Sequence, residues 1–397
     1  MKKNLFFLAA AALALASCSS DETVESAALS KSNEINFRPF VASNTRSADI
    51  TESTLSGFKV TATQTNTSTS YFTNVDFTGS GTYQSATKYY WPSAYNLDFY
   101  AYAPIATDVV GSGKQIVPTS NGTAYDAASY TKFIVTPATA AASQVDLVYA
   151  RTNNWGKATG AASGHEIPTK SGVTINFRHA ESKVLIKLYN SNSNIKVTVK
   201  DASICNVYTT GVFTFNATDT DTKNAALLAN TQWSGQATSG SYTVTDESDT
   251  KYNVAVGSAA QVGVDWILIP QTLTTAATYS GTSVGDAFNG ACIKIDLKIQ
   301  NNAGSPAYIV GDADHYVTAM WPLSSPTEWL PGKKYTYTVN LAGGGYYPTN
   351  TAAGTGNALD PILGGDEIKF VSVTVDDWTE EAGSVYTGST PSAPVVP

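Results

Sequence analysis

Apolar and polar residues alternate with period two over most of the chain, and this pattern constrains the fold more than any other feature. Segments 58–62, 97–102 and 173–177 are examples, and all are rich in β-branched and aromatic residues. Such alternation is typical of half-buried β-strands. Clusters of Gly, Asn, Ser and Pro separate the runs, and long helical periodicity is absent. The sequence therefore predicts an all-β protein.

The length of the chain indicates two domains. It has 397 residues, which is enough for two cores of ordinary size. The number and length of the predicted strands favour two antiparallel β-sandwiches in tandem, over residues 47–179 and 180–378. Three stretches rich in small residues, 105–130, 216–260 and 341–366, are predicted to be long loops.

The charge of the chain excludes one class of partner. Only 14% of the residues are charged, the formal net charge is −8 and the sequence pI is about 4.9. The chain thus lacks the basic surface that binds nucleic acid. After the N-terminal segment, no apolar run reaches the ~18 residues that a membrane-spanning helix needs.

The N-terminus predicts a lipoprotein signal peptide over residues 1–17. Lys2 and Lys3 form a positive n-region, and residues 5–16 form an apolar h-region that is too short to span a bilayer. The segment ends in Leu15-Ala16-Ser17-Cys18, which resembles a bacterial lipobox. In such signals the peptide is cut before the cysteine, which then carries several acyl chains, enough for a stable membrane anchor. Cys18 is therefore the predicted lipidation site, with a plain signal peptide as the alternative.

The residues after Cys18 predict where the lipoprotein goes. Residues 19–22 read Ser-Ser-Asp-Glu, which resembles the acidic tether that sends Bacteroidetes lipoproteins to the cell surface. The alternative is a solvated spacer. We expect export to the outer membrane and the cell surface.

A short apolar strand follows the polar linker and is predicted to be removable. Ile35, Phe37, Pro39 and Val41 fall on one face of an extended segment, so the groove of a sheet can bury them. Pro39 has no N–H group, which predicts an edge position.

A candidate protease site lies directly after this strand. Arg46 and Ser47 lie in a polar context of the kind in which proteases cut best, although the residues alone favour an ordinary loop arginine. A cut after Arg46 would make residues 18–46 a lipidated propeptide that contains the removable strand.

Signals of catalysis and of metal or cofactor binding are weak. His165 lies in a loop rich in small residues, His179 ends a strand, and Asp312 to His315 has too few ligands for a calcium loop. Asp376 and Asp377 are adjacent in a strand and point to opposite faces. Nucleophile elbows, phosphate loops and zinc spacings are absent. We therefore expect no catalytic residue, no metal, no cofactor and no enzyme activity.

Two cysteines remain besides Cys18. Cys205 and Cys292 both lie in segments that resemble strands. Buried free thiols are the favoured interpretation and a disulfide is the alternative, because two cysteines do not define a disulfide framework.

Several segments together resemble the fimbrillin family of Bacteroidetes, the Mfa-like or FimA-like type V pilins. They occur in the order of the family's segments and cover essentially the whole mature chain. These segments are residues 34–37 with 45–46, 89–92, 97–104, 146–150, 177–184, 269–271, 329–337 and 373–378.

The resemblance implies a fold and an assembly route. It implies that the two β-sandwiches are transthyretin-like, and that a trypsin-like, arginine-specific protease cuts the surface lipoprotein after Arg46. The cut releases the first strand with its lipid, and the groove accepts a strand from the next subunit. The partners implied are copies of this chain or related fimbrial subunits, with adhesion as the function.

The C-terminal extension, residues 379–397, is the candidate donor of that strand. Val385 and Tyr386 are its best strand-forming pair, but Pro391, Pro394 and Pro397 cannot donate ladder hydrogen bonds. A disordered tail is the alternative, which leaves a tip or accessory subunit as an alternative to a stalk subunit.

Two other functions were weighed against a fimbrial subunit. A monomeric surface lipoprotein that binds glycan or a host ligand would use exposed aromatic residues, for which Trp155, Trp233, Tyr346 and Tyr347 are candidates. Core packing is the favoured role of these aromatics. A β-sandwich hydrolase would need paired acids or a metal site, and the sequence offers neither.

Overall fold

The computed structural model confirms the all-β class. It describes residues 33–41, 50–51, 53–156, 165–167, 172–215, 232–245, 252–274, 290–305, 307–323, 326–343, 346–348, 359–361 and 370–377. Two short 3-10 turns are Ala141–Ser143 and Leu341–Gly343, and none of the described residues is in an α-helix. None of the helical segments in this described part is long and apolar enough to cross a membrane.

The described residues form 24 strands. In chain order they are β1 (Phe37–Val41), β2 (Gly57–Gln64), β3 (Ser70–Ser80), β4 (Thr82–Gln84), β5 (Leu97–Ala103), β6 (Ile116–Pro118), β7 (Lys132–Val135), β8 (Val148–Trp155), β9 (Val173–His179), β10 (Ser182–Tyr189), β11 (Ile195–Thr214), β12 (Trp233–Thr245), β13 (Tyr252–Val254), β14 (Ala260–Gln261), β15 (Trp266–Leu268), β16 (Gln271–Thr272), β17 (Cys292–Asn301), β18 (Tyr308–Val310), β19 (Val317–Pro322), β20 (Glu328–Trp329), β21 (Lys333–Asn340), β22 (Tyr346–Pro348), β23 (Leu359–Pro361) and β24 (Phe370–Asp377).

The first sheet closes on itself in the order β1-β4-β3-β2-β5-β8-β9, with β9 returning to β1. Its neighbours are antiparallel except for the closing pair β1 and β9, which is parallel. In β9, the alternation of apolar and polar residues in the sequence corresponds to an alternation in burial. In β9, Val173, Ile175, Phe177 and His179 are buried, while the residues between them are half-buried.

Two further sheets are formed mainly by the second half of the chain. One has ten strands, with β23-β22-β19-β17-β11-β7-β6 as its main path, and the other has five strands, with β14-β10-β21-β24 as its path. The two sheets share one core. β11, β17 and β19 contribute to it from the larger sheet, and β10, β15 and β21 from the smaller one. The transthyretin-like topology of both halves stays a prediction.

The two halves are joined by strands as well as by side chains. β6 and β7 lie before residue 180, yet β7 pairs with β11 from Gly211↔Val135 to Thr214↔Lys132. A separate buried cluster of eleven residues, which we call the junction core, fills the space between the halves. Its members are Tyr102, Ile116, Phe133, Val135, Leu147, Tyr149, Ala180, Phe213, Phe215, Trp233 and Ile269. The predicted domain boundaries stay predictions.

All three predicted loops contain strands. β6 lies in the predicted loop 105–130, β12 and β13 lie in the predicted loop 216–260, and β22 and β23 lie in the predicted loop 341–366. β12 pairs with β11 from Asp201↔Thr245 to Phe213↔Trp233. Its sequence, WSGQATSGSYTVT, is rich in small polar residues, because the ladder to β11 is made by backbone groups while most of the side chains are exposed.

Candidate functional site

The candidate site is β1 together with the groove that holds it. Ile35, Phe37, Pro39 and Val41 are all buried, whereas Arg38 between them is exposed. The structure thus places the four residues of the predicted removable strand on the face that points into the closed sheet. The sequence pattern alone gave this orientation, because side chains alternate between the faces of a strand.

Backbone pairing holds β1 mainly through β9. The two strands run parallel from Phe37↔Val173 to Val41↔Phe177. On the other side, β1 pairs with β4 only at Phe37↔Tyr83. Within the described pairing, the part of β1 from Arg38 onward therefore has one neighbour. This is compatible with Pro39, which has no N–H group for a second ladder.

The chain enters β9 so close to β1 that it needs a glycine. Gly172 has a φ of +76°, which L side chains rarely adopt, and a Cβ there would lie 2.9 Å from the backbone oxygen of Asn36. The next amide, Val173 N–H, donates to that same oxygen at 2.8 Å. Gly172 therefore permits the first contact between the removable segment and β9.

Residues just before β1 pair with a second segment, which sequence reasoning did not connect to the groove. Ile35 N–H donates to Tyr89 O at 2.8 Å, and Trp91 N–H donates to Asn33 O at 3.0 Å. Lys88 Nζ lies 3.1 Å from Glu34 Oε2 at the surface. The sequence signal for this contact is the aromatic segment of residues 89–91, which is one of the segments that carry the family resemblance.

Phe37 is the main apolar contact of β1. Its ring is fully buried and meets the rings of Phe58, Phe77 and Phe99 at centroid distances of 6.0, 4.8 and 5.1 Å. All three contacts are edge-to-face, an arrangement that aromatic pairs favour. Phe37 thus lies within the core of the closed sheet, and loss of β1 would open that core.

An empty groove would be a template for another strand. Removing β1 would expose the apolar residues around Phe37 and would leave the edge of β9 without a partner. Buried side chains of this size each contribute roughly 1.5–3 kcal/mol to stability. An unpaired, apolar sheet edge binds extended chains by strand addition.

The predicted processing residues lie outside the described residues. Arg46 and Ser47 fall in the span 42–49, and Cys18, Val385 and Tyr386 fall in other spans that the structure does not describe. On the N-terminal side of the span 42–49, Val41 is buried at the end of β1. On its C-terminal side, Ile50 N–H donates to Asp146 Oδ2 at 3.0 Å. These positions stay predictions as lipidation, cleavage and donor sites.

The residue that accepts the Ile50 hydrogen bond, Asp146, belongs to a buried cluster of titratable residues that was not predicted from the sequence. Asp146, His179 and Glu181 are all at most 1% exposed. His179 Nδ1 lies 2.9 Å from Asp146 Oδ2, and Leu147 N–H donates to Glu181 Oε2 at 2.9 Å. His179 therefore has a structural partner, as its position at the end of a strand indicated.

The carboxyl group of Glu181 has a strongly perturbed pKa. Burial raises this pKa well above its usual range, the nearby Asp146 carboxyl raises it further, and the Leu147 hydrogen bond opposes both effects. Its Oε1 atom is buried and accepts no hydrogen bond within the described residues. We therefore expect the folded protein to hold the Glu181 proton to a higher pH than the unfolded chain does.

This predicts a measurable pH dependence of stability. A carboxyl whose pKa is higher in the folded than in the unfolded state holds its proton more tightly when folded, so the free energy of unfolding falls as the pH rises. We expect the free energy of unfolding of the wild-type protein to fall as the pH rises above the ordinary pKa of a glutamate carboxyl, and Glu181→Gln to remove most of that loss. Denaturant unfolding at several pH values checks this.

A matched control is available for this measurement. Glu166 is exposed, so Glu166→Gln should leave the slope of stability against pH unchanged. A Glu181→Gln protein with the wild-type slope would show that Glu181 is ionised in the folded state.

The other histidines are in separate places. His165 stacks on Trp155 with a ring distance of 4.5 Å. His315 is exposed, and its Nδ1 lies 2.9 Å from Asp312 Oδ1. Hydrogen bonds from His315 and from the backbone lower the pKa of Asp312 to about 2. Clusters of three or more metal-binding side chains do not occur in the part of the chain that the structure describes.

Two aromatics considered for glycan stacking pack in the interior instead. Trp155 is 4% exposed in the core of the closed sheet, and Trp233 is 5% exposed in the junction core. Trp233 Nε1 also donates to Ala180 O at 2.8 Å. Tyr346 and Tyr347 lie on β22, where the structure describes the backbone alone.

The fold and the site define an all-β protein whose first strand completes a closed sheet and is followed by a short connection that contains Arg46. A family model described as fimbrillin-like matches residues 45–378. The chain therefore belongs to the fimbrillin-like family. The match begins next to Arg46 and ends at Trp378.

Comparison with solved structures finds distant similarity to proteins of related bacteria. A candidate cell adhesion protein of Bacteroides uniformis is 13% identical, with 87% of this chain and 98% of that chain covered and a TM-score of 0.43. One from Bacteroides ovatus is 14% identical, with coverage of 88% and 98% and a TM-score of 0.43.

A third similar structure is the tip fimbrial protein Mfa3 of Porphyromonas gingivalis with a C-terminal truncation. It is 10% identical, with 87% of this chain and 98% of that chain covered and a TM-score of 0.36. At TM-scores below 0.5, these similarities do not by themselves define fold or function. No curated protein sequence matches this chain.

Proposed function

We propose that this protein is a structural subunit of a cell-surface fimbria that serves adhesion. The observation that carries the proposal is β1, a short strand buried in a groove and connected to the rest of the chain through a span that contains Arg46. Family membership supports the same function. In this proposal the protein has a structural rather than a catalytic role.

The first step is export as a lipoprotein. The signal peptide over residues 1–17 is removed, and the acyl chains on Cys18 hold the precursor at the outer membrane. During transit β1 fills its own groove, so that the apolar edge beside β9 is covered. A covered edge prevents strand addition before the subunit reaches the surface.

The second step is cleavage after Arg46 by an arginine-specific surface protease. The cut separates residues 18–46 from the mature chain, which then begins at Ser47. Because the Ile50 amide donates a hydrogen bond to buried Asp146, the new N-terminus stays at the junction between the halves. β1 is then held only by its own pairing and packing.

The third step is replacement of β1 by a strand from another subunit. The incoming strand offers apolar residues at alternate positions to the groove and pairs with β9. Donation of a strand from head to tail does not close on itself, so it produces a filament. The C-terminal extension, residues 379–397, is the proposed donor, with Val385 and Tyr386 as its apolar pair. A subunit without a competent donor would occupy the tip or an accessory position.

Analysis of the N-terminus of the surface protein tests the proposal. We expect the species in fibres to begin at Ser47 and to carry no lipid, while the cell-associated precursor begins at acylated Cys18. Intact-mass measurement distinguishes the two, because residues 18–46 and the acyl chains are lost together. Fibres built from chains that retain Cys18 would contradict the proposal and would favour a lipoprotein that keeps its first strand.

A further inference from the structure

Two cysteines in the larger sheet of the second half face each other across neighbouring strands. Cys205 on β11 is paired in register with Cys292, the first residue of β17, in an antiparallel ladder. Directly opposed residues in antiparallel strands have Cα atoms about 4.5–5.5 Å apart. Disulfides span Cα separations of about 4.4–6.8 Å. The ladder therefore holds the two thiols at a separation that a disulfide can bridge without moving the backbone.

The two thiols are also in contact with one another. Both are free and buried in the structure, and with Met320 they form a small apolar cluster of their own. Their neighbours Ile204 and Ile293 belong to the main core, so the cysteines lie on the opposite face of the sheet. A hydrogen bond from Cys292 and one from Ser241 lower the pKa of Cys205 to about 7, while the pKa of Cys292 is raised. Cys205 is therefore the better nucleophile.

The pair occupies the end of a ladder. Cys205↔Cys292 is the last pair between β11 and β17, and the pairing of β11 with β12 shifts register between Cys205 and Val207. Between them, Asn206 adopts a φ of +59°. Further along, β11 pairs with β7 from Gly211 onward. A covalent link at this position would close the ladder at the end where β11 changes partners.

We propose that Cys205 and Cys292 are joined by a cross-strand disulfide in the exported protein. The oxidant is a disulfide-bearing oxidoreductase or a small disulfide of the exporting compartment, a condition that rests on the proposed export. The Cys205 thiolate attacks the oxidant's disulfide, forms a mixed disulfide and releases one thiolate. Cys292 then loses its proton and attacks Cys205 Sγ, which releases the second thiolate. The oxidant gains two electrons and both protons leave the cysteines.

The reaction must precede or accompany folding, since Cys205 is 3% exposed and Cys292 is fully buried. The link would close a long loop, from residue 205 to residue 292, and long loops lose the most entropy in the unfolded chain when they are closed. We therefore expect the oxidised protein to resist thermal unfolding better than the reduced one, by several degrees.

Refolding in a redox buffer tests the disulfide separately from export. The full chain is unfolded, refolded with oxidised and reduced glutathione, treated with a maleimide and digested without reduction. We expect one linked peptide pair that contains Cys205 and Cys292, about 2 Da lighter than the sum of the two thiol peptides. It should disappear on reduction and in Cys205→Ser. Alkylation of both cysteines after oxidation, or a pair that includes Cys18, would overturn the proposal.

Thermal unfolding provides a second measurement. Reductant should lower the melting temperature of the oxidised wild-type protein and leave that of Cys205→Ser unchanged. Equal melting temperatures for wild-type protein with and without reductant would overturn the stabilising role. Failure of this test would leave cleavage at Arg46 unaffected, because the two proposals involve different residues and different assays.

Discussion

Replacing Arg46 by alanine is expected to abolish fibre assembly and to leave an acylated, monomeric precursor at the cell surface. An arginine-specific protease places the guanidinium in its specificity pocket, and alanine offers no charge there, so cleavage should fall by several orders of magnitude. With residues 18–46 still attached, β1 remains in its groove and excludes the incoming strand. Electron microscopy for fibres, together with the intact mass of the surface protein, checks both parts of this expectation.

Arg38 provides the matched control for this variant. It is an exposed arginine on β1, and its guanidinium lies 5.2 Å from the ring of Phe40. Arg38→Ala removes an arginine from the same propeptide but leaves Arg46 intact, so fibres should form normally. Normal fibres from Arg46→Ala would refute cleavage as the trigger. Loss of fibres in Arg38→Ala but not in Arg46→Ala would indicate that the protease cuts after Arg38 instead of after Arg46. That result would contradict this mechanism.

Replacing Phe37 by alanine is expected to destabilise the precursor by about 3–5 kcal/mol, the usual range for a fully buried phenylalanine. The ring packs edge-to-face on Phe58, Phe77 and Phe99, and its removal leaves a cavity at the centre of the closed sheet. Chemical denaturation of the uncleaved protein measures the loss. Phe40→Ala makes the same chemical change on the opposite, half-buried face of β1, and it should cost about 1 kcal/mol.

Cleavage should cancel the effect of Phe37→Ala. In the proposed mechanism Phe37 leaves with the propeptide, so fibres assembled from this variant should be as resistant to denaturant as wild-type fibres. A variant whose fibres are weakened as much as its precursor would show that β1 stays in the mature subunit. That result would contradict strand exchange even if Arg46 is cut.

Strands rich in β-branched and aromatic residues could be predicted from the sequence. Residues 58–62, 97–102 and 173–177 lie in β2, β5 and β9, as predicted. The orientation of β1 follows from the alternation of apolar residues along it. The length of β11 could not be predicted. It is one continuous strand of 20 residues, in which register shifts and the positive φ of Asn206 accommodate breaks in the apolar pattern.

Features that depend on contacts between distant segments could not be predicted from the sequence. β12 was predicted as loop because its exposed side chains carry no apolar alternation, although its backbone pairs with β11. Asp146 and Glu181 are 35 positions apart in sequence, and a local pattern does not show that both are buried beside His179. The sequence also does not show that Cys205 on β11 lies opposite Cys292 on β17.

The junction core has a mechanical consequence for any filament built from this protein. Eleven buried residues and the ladder between β7 and β11 bind the halves of the subunit to each other. Bending the subunit at its middle would have to separate packed aromatic rings and break strand pairing at the same time. Each subunit should therefore resist bending, and the curvature of a filament should be concentrated where one subunit meets the next.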